Sequence, residues 1–413
     1  MVGAFLAGTI ACFAYGEGFI SGFFDVFAGG VGNYVAGYIF IWITGLGLGT
    51  LMNISGISQS LAEHLIKWFG EKSVLWIIVL FGVLVSLAGI PAPTFVIWAL
   101  AMPLLKKGNI PAYIGMAATM GATCLGQFVI TGVPGMPNLM PTMYMGTTLY
   151  SAPFMSLICC VVGFGCLGIY LMFLVKRARK VGDGFVDVAN NELVDAAPLL
   201  NKNELPSFFV SIMPIIIVCV GTYVFSNILS LGTTASVVFA QAIGMLWCML
   251  LRWSSFKEKG HVNTLVEIAQ RALPMVIAVG CIFGFGNIAS SLTCYDVAIQ
   301  AIARANLSPY ITCVLMVALI AAVTSDGISG IAIFCSTFAA DLMAAGADPA
   351  MLHRLTTMTA TTFDSLPHSN SVQQALIVYG YNTKTGYKYL FMVTVVITTL
   401  CTLVGLIYAL VLG

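Results

Sequence analysis

The stretch Thr361–Ser371 reads "TTFDSLPHSNS", a run of Asp, Pro, His, Asn and hydroxyl residues set between two strongly apolar segments. Its surroundings fix the solvent it has to live in. Of 413 residues 59% are hydrophobic and 8% charged, with a mean hydropathy of +0.99, whereas a soluble domain carries about a quarter charged residues. The chain is therefore expected to be a polytopic membrane protein. Inside a bilayer, a segment that breaks a helix leaves backbone N–H groups without partners. It is tolerated only where it is buried in protein or lines a wet cavity. Pro367 removes a donor and disfavours helix at Leu366, while Ser365, Ser369, Asn370 and Ser371 supply local caps. The half-helix that starts after such a break points its positive end into the cavity, which makes an anion site. Asp364 and His368 add ionisable groups, which are rare within membranes and usually functional there. If the turn stays helical they lie one turn apart, with His368 as the proton carrier and Asp364 orienting it. The plainer alternative makes Asp364 a helix cap and His368 a satisfied core histidine.

Apolar segments recur along the whole chain, and several are too short for the roughly 20 residues that a crossing needs. Residues 73–90 and 94–105 are separated by "PAPT" (Pro91–Thr94), and 309–324 and 328–345 by "SDG" (Ser325–Gly327). Undersized runs flanking Gly and Pro are the pattern of hairpins that enter the membrane and turn back, with two kinked helices as the alternative. These breaks belong to an internal repeat. At one constant spacing Gly89-Ile90 recurs as Gly327-Ile328, Pro111-Ala112 as Pro349-Ala350, Thr119-Met120 as Thr357-Met358 and Ala122-Thr123 as Ala360-Thr361. "VPGMPN" (Val133–Asn138) then falls opposite "LPHSN" (Leu366–Asn370), and Gly146 opposite Gly380.

Basic residues give orientation. With "KRARK" (Lys176–Lys180) inside, all 17 Lys and Arg except Arg304 and Arg354 fall on the cytoplasmic side. The two exceptions belong to the second repeat, which is then inserted upside down relative to the first. The expected fold is an all-α polytopic membrane protein with two inverted-topology repeats, each with a re-entrant hairpin and a broken helix. Residues 1–175 form one transmembrane half, 176–206 a cytoplasmic linker and 207–413 the other half. The setting is the inner cell membrane, with the lipid bilayer as partner and a homo-oligomer left open.

The second hairpin tip offers Ser325, Asp326 and Ser329; turn chemistry explains them as well as function does. In the first repeat Thr94, Gln127, Thr131 and Asn138 are polar at the breaks, and Asn138, opposite Asn370, is the strongest candidate for a polar contact. Ser365, Ser369 and Asn370 complete the candidate substrate set. Glu17 and Asp25 read as solvated surface, and His64 as part of an amphipathic interfacial stretch. The cysteines lie scattered in apolar runs without a CxxC pair or metal-ligand spacing, so no metal or cofactor is expected. A net charge of +1 without basic-aromatic blocks points away from nucleic acid.

"DSLPHSNSVQQALIVYG" (Asp364–Gly380) resembles the second-repeat signature of the gluconate permease family, proton symporters for sugar acids and related hydroxy acids. The likeness extends over nearly the whole chain, and its specific part is Asp364–Asn370. The resemblance implies an organic-anion and proton symporter in which Asp364, Ser365, Pro367, His368 and Asn370 belong to a central site and Thr324–Gly330 is the hairpin tip. Members for gluconate carry an acidic Phe-Phe-Asp element at the first hairpin and a His in the first Pro-rich loop. Pro91-Ala92-Pro93-Thr94 and Gly135-Met136 stand there instead, which favours a smaller, less hydroxylated acid. The family also has a helix before the one starting at Val2, so this sequence is expected to start late or trimmed. Import of a small carboxylate with a proton thus leads, with sodium coupling open. A cation/proton antiporter of similar architecture is the alternative. An enzyme is not expected: HExxH is absent, the four His do not cluster, and no Gly-x-Gly-Asp accompanies a second catalytic Asp.

Overall fold

The computed structural model describes residues 2–87, 94–133, 135–185, 205–231, 233–253, 260–293, 297, 300–302, 304–305 and 307–413. Among them every regular element is helical. The first half runs α1 (Val2–Cys12), α2 (Ala28–Ile54), α3 (Ile57–Phe69), α4 (Val74–Leu87), α5 (Thr94–Lys107), α6 (Ala112–Cys124), α7 (Met136–Met145) and α8 (Pro153–Val181). The second runs α9 (Phe208–Tyr223), α10 (Thr233–Leu251), α11 (His261–Ser290), α12 (Pro309–Thr324), α13 (Gly327–Thr337), α14 (Ala339–Ala344), α15 (Pro349–Phe363) and α16 (Asn370–Val378). It closes with α17 (Thr383–Leu390), which continues through a π-helical stretch into α18 (Ile397–Leu412). Among the described residues Phe19–Met52, Pro153–Val181, Val262–Ala289 and Thr383–Leu412 are each long and apolar enough to cross a bilayer. The amphipathic α3 meets the following apolar helix at 115°. His64 there bonds the Ser60 carbonyl at 2.9 Å and packs on Trp68 and Phe208, as a surface-lying segment should.

Two hairpins are present. The α12 and α13 arms hold 16 and 11 residues, about 24 and 16 Å at 1.5 Å per residue, so neither spans a core of about 30 Å. They fold back on each other closely enough that a Cβ on Gly330 would sit 3.1 Å from the Ala321 Cβ. The α4 and α5 arms do the same, with Gly82 facing Ile97. The tip of that hairpin, and with it Pro91–Pro93 and the Gly89-Ile90 match, lies outside the described residues, as does most of the expected 176–206 linker. Over the linker's first residues α8 stays helical to Val181. The chain beyond is tied down by Tyr113 to Asp183 at 3.1 Å and by Phe185 N–H to Asn109 at 3.0 Å.

Each hairpin is followed by the same succession: a buried helix (α6 or α15), a break, a short helix (α7 or α16), a left-handed glycine (Gly146, φ 62°; Gly380, φ 78°) and a long span. This is the repeat of hairpin, break and short helix read from the sequence. Helices α6 and α15 are the centre. Every residue of α6 except Tyr113 is buried, as is every residue of α15 from Leu352 to Thr362. Ala, Gly and Thr let neighbouring backbones approach, and the Thr hydroxyls satisfy themselves on carbonyls of the preceding turn, as Thr356 does on Leu352 at 2.8 Å and Thr357 on Arg354 at 2.9 Å.

Candidate functional site

The α15 helix ends at Phe363 and α16 begins at Asn370, leaving Asp364–Ser369 without helical structure. This break meets the tip of the second hairpin. Gly327 is pressed against it: a Cβ there would lie 2.9 Å from Asp364 Oδ2, 3.1 Å from the Ala360 carbonyl oxygen and 3.2 Å from the Phe128 ring of the first repeat. Glycine is therefore required by close approach. Asp364 is 8% exposed and accepts from the Ser365 hydroxyl at 2.6 Å. Across from it, Asp326 caps α13, accepting from Ser329 N–H at 2.9 Å and its hydroxyl at 2.5 Å. Ser325 takes up φ 59° to make the turn, and its buried hydroxyl has no protein partner. Two carboxylates thus share one small region, and among the described residues no ion pair reaches either of them.

The rest of the break fastens it to the surrounding helices. Half-buried His368 places Nε2 2.8 Å from the Ala322 carbonyl oxygen on the outbound hairpin arm, and its ring meets Phe285 of α11 edge-on at 6.0 Å. The expected Asp364–His368 pair is not formed. Residues 364–369 are not helical, so the one-turn spacing is lost and each side chain finds another partner. Asn370 accepts from Tyr34 of α2 at 3.0 Å, and that hydroxyl in turn accepts from Trp42 at 3.2 Å. Ser369 is buried at the start of α16 and lies 3.1 Å from the Ser371 hydroxyl.

The first break, at Ile130–Gly135, is built differently. Arg354, placed above in an external loop, is fully buried in α15. Its guanidinium donates to Asn138 Oδ1 at 2.8 Å, to the Leu149 carbonyl at 3.4 Å and to the Ile130 carbonyl at 3.5 Å. Five donors on a planar fork can collect several carbonyls at once, which is what an interrupted backbone offers. Asn138 spends its other end on the Gln127 carbonyl at 2.9 Å. Thr131 bonds the Leu149 carbonyl at 2.9 Å, and buried Thr94 lies 3.8 Å from the Met120 sulfur. Neighbouring His353 reaches the Thr147 hydroxyl at 2.7 Å. Of the residues expected at a site, the structure therefore brings Ser325, Asp326, Ser329, Asp364, Ser365 and His368 to one place, while Thr94, Thr131 and Asn138 serve the fold of the first repeat. Sequence reading missed Arg354 and His353. The available signal was a basic pair beside a run of Leu, Thr, Met and Ala with no acidic residue between Pro349 and Phe363.

Among the described residues no cluster of His, Cys, Asp and Glu is able to hold a metal ion. No protein-family model matches the chain. It is 24% identical, over 94% of its length and 89% of the relative's, to the uncharacterised transporter YxjC of Bacillus subtilis. It is also 28% identical, over 46% of its length and 42% of the relative's, to the Gnt-II system L-idonate transporter of Escherichia coli. The chain is a homologue of membrane transporters. The second of these relatives agrees with the resemblance to the gluconate permease family carried by Asp364–Asn370. Among solved structures, the Alcanivorax borkumensis YdaH transporter, described as having an unusual topology, covers 95% of the chain and 88% of its own at 14% identity and a TM-score of 0.46.

Proposed function

We propose that this transporter imports a small organic acid anion together with a proton, binding the anion where the second hairpin tip meets the second break. The observation that carries this reading is the pairing of Asp326 and Asp364 in a region that no Lys or Arg enters by an ion pair among the described residues. A substrate carboxylate arriving there brings its negative charge beside two acidic side chains. Helix starts at α13 and α16 and the hydroxyls of Ser325 and Ser369, with the Asn370 amide, offset part of that charge, while the Ser329 and Ser365 hydroxyls are held by Asp326 and Asp364. A co-transported cation offsets the rest. It also meets the electrical cost of uptake into a negative-inside cell, about 2.3 kcal/mol per charge per 100 mV. His368 is the proton carrier in this scheme. Its Nε2 donates to Ala322, so a proton added at Nδ1 changes the charge without breaking the tie to the hairpin. An L-idonate transporter among the relatives supports a hydroxy acid as substrate, and the sparse polar set at this site favours a short one. The protein sits in the inner membrane with residues 176–206 on the cytoplasmic side.

Uptake of radiolabelled gluconate, glycerate, lactate and hydroxybutyrate into proteoliposomes, with an imposed pH gradient and separately with an imposed sodium gradient, tests the proposal. Accumulation of one of these acids driven by the pH gradient alone is expected. The alternative, a cation/proton antiporter, is favoured by the same two carboxylates. It predicts proton movement on a sodium gradient with no acid present.

A further inference from the structure

A groove of about 200 Å³ lies between the start of α4 and the end of α8, away from both breaks. Lys72, Lys176 and Arg179 line one end of it, and Leu75, Trp76, Leu171, Met172 and Val175 the remainder. The order of these residues matters. Lys72 precedes Leu75 and Trp76 by about one turn as α4 begins, and Lys176 and Arg179 follow Leu171 and Met172 by one to two turns as α8 ends. Both walls therefore change from cationic to apolar in the same direction. The three cations are exposed, and none pairs with a carboxylate among the described residues. Beyond the groove the exposed side chains Leu80 and Leu84 of α4 and Ile169 of α8 continue the apolar surface. The floor is fitted: a Cβ on Gly168 would lie 2.8 Å from the Trp76 ring, so that ring rests directly on the α8 backbone.

We propose that this groove binds one anionic phospholipid, its headgroup phosphate held by Lys72, Lys176 and Arg179 and an acyl chain lying along Leu75, Trp76 and Leu171. A free anion needs the cations but has no use for an apolar wall continuous with the lipid-facing surface, and a zwitterionic lipid leaves the threefold positive charge unbalanced. Trp76 at the boundary suits a headgroup-level position, since its ring is apolar with one polar edge. The bound lipid ties the first hairpin arm to the long α8 span.

The test uses the purified full chain in detergent. Native mass spectrometry is expected to show phosphatidylglycerol retained about fivefold or more over phosphatidylcholine. That preference should be lost in the combined Lys72→Ala, Lys176→Ala and Arg179→Ala variant and kept in Arg177→Ala with Lys180→Ala, which lie on the same helix end outside the groove. Phosphatidylglycerol brominated in its acyl chains should quench the wild-type protein's tryptophan fluorescence and do so measurably less in Trp76→Phe. The charge-keeping variant Lys72→Arg with Lys176→Arg should retain binding, which covers the case of a triple variant that does not fold. Equal retention of both lipids, unchanged retention in the triple variant, equal quenching with and without Trp76, or displacement of the lipid by millimolar inorganic phosphate each overturns the proposal.

Discussion

The two breaks occupy equivalent places in the two repeats and solve the same problem in opposite ways. At the first, the interrupted backbone is braced by a buried cation from the other repeat: Arg354 gathers Ile130, Leu149 and Asn138. At the second, no Lys or Arg forms an ion pair among the described residues. Asp364 has only the neighbouring Ser365 hydroxyl and the pressed-in Gly327, and Ser325 keeps a hydroxyl without a protein partner. Both breaks keep some spare polar capacity, since Arg354 Nε and His353 Nε2 also lack a protein partner. What differs is that a cation tied to backbone oxygens holds the first break in shape, whereas two carboxylates without one leave room for a ligand and a proton at the second.

The largest effect that separates the two is expected at Arg354. Arg354→Ala takes the donor from Asn138 Oδ1 and the Ile130 carbonyl in a buried place, while the Leu149 carbonyl keeps Thr131 and Gly132, so stability should fall by about 3 kcal/mol, read from denaturant unfolding of the purified protein. A stably folded Arg354→Ala with altered substrate affinity would move Arg354 into the site and undo the contrast. Next comes Gly327→Ala. Its Cβ meets Asp364, Ala360 and Phe128 together, so uptake should fall about tenfold or more while expression is kept, because only the tip must shift. A smaller pair sharpens the comparison. Asn138→Ala should cost about 1–3 kcal/mol of stability with substrate affinity unchanged, whereas Ser365→Ala, which takes a donor from buried Asp364, should lower stability and weaken binding together. The opposite pattern would exchange the roles of the two breaks. The smallest perturbation tests topology. Single cysteines at Lys180 and Ala345 in a cysteine-free background should label from opposite faces of the membrane; labelling from the same face rejects the inverted repeats.

The sequence carried the architecture well, because the bilayer leaves few solutions. Undersized apolar runs around Gly and Pro have to turn back, and "LPHSN" against "VPGMPN" placed both breaks. Side-chain partners were much less legible. The Asp364–His368 pair presumed a helical turn that Pro367 does not allow, and His368 turned to a carbonyl from a segment far away in the chain. Arg354 was placed outside, with Arg304, by counting basic residues against membrane crossings. Nothing local shows that α15 is enclosed on all sides by the helices of both repeats. Asn138 and Asn370 were matched by register, yet one is the third residue of α7 and serves Arg354 and the other is the first of α16 and serves Tyr34, a difference that only the packing decides.

The central claim is that the second break couples substrate to a proton through His368. It is tested most directly by comparing accumulation with exchange in proteoliposomes carrying His368→Ala. Exchange requires binding and reorientation without net proton movement, so it should persist, while accumulation driven by an imposed pH gradient should vanish. A His368→Ala transporter that still concentrates the acid in response to that gradient would contradict the account and assign the proton to Asp364 or Asp326.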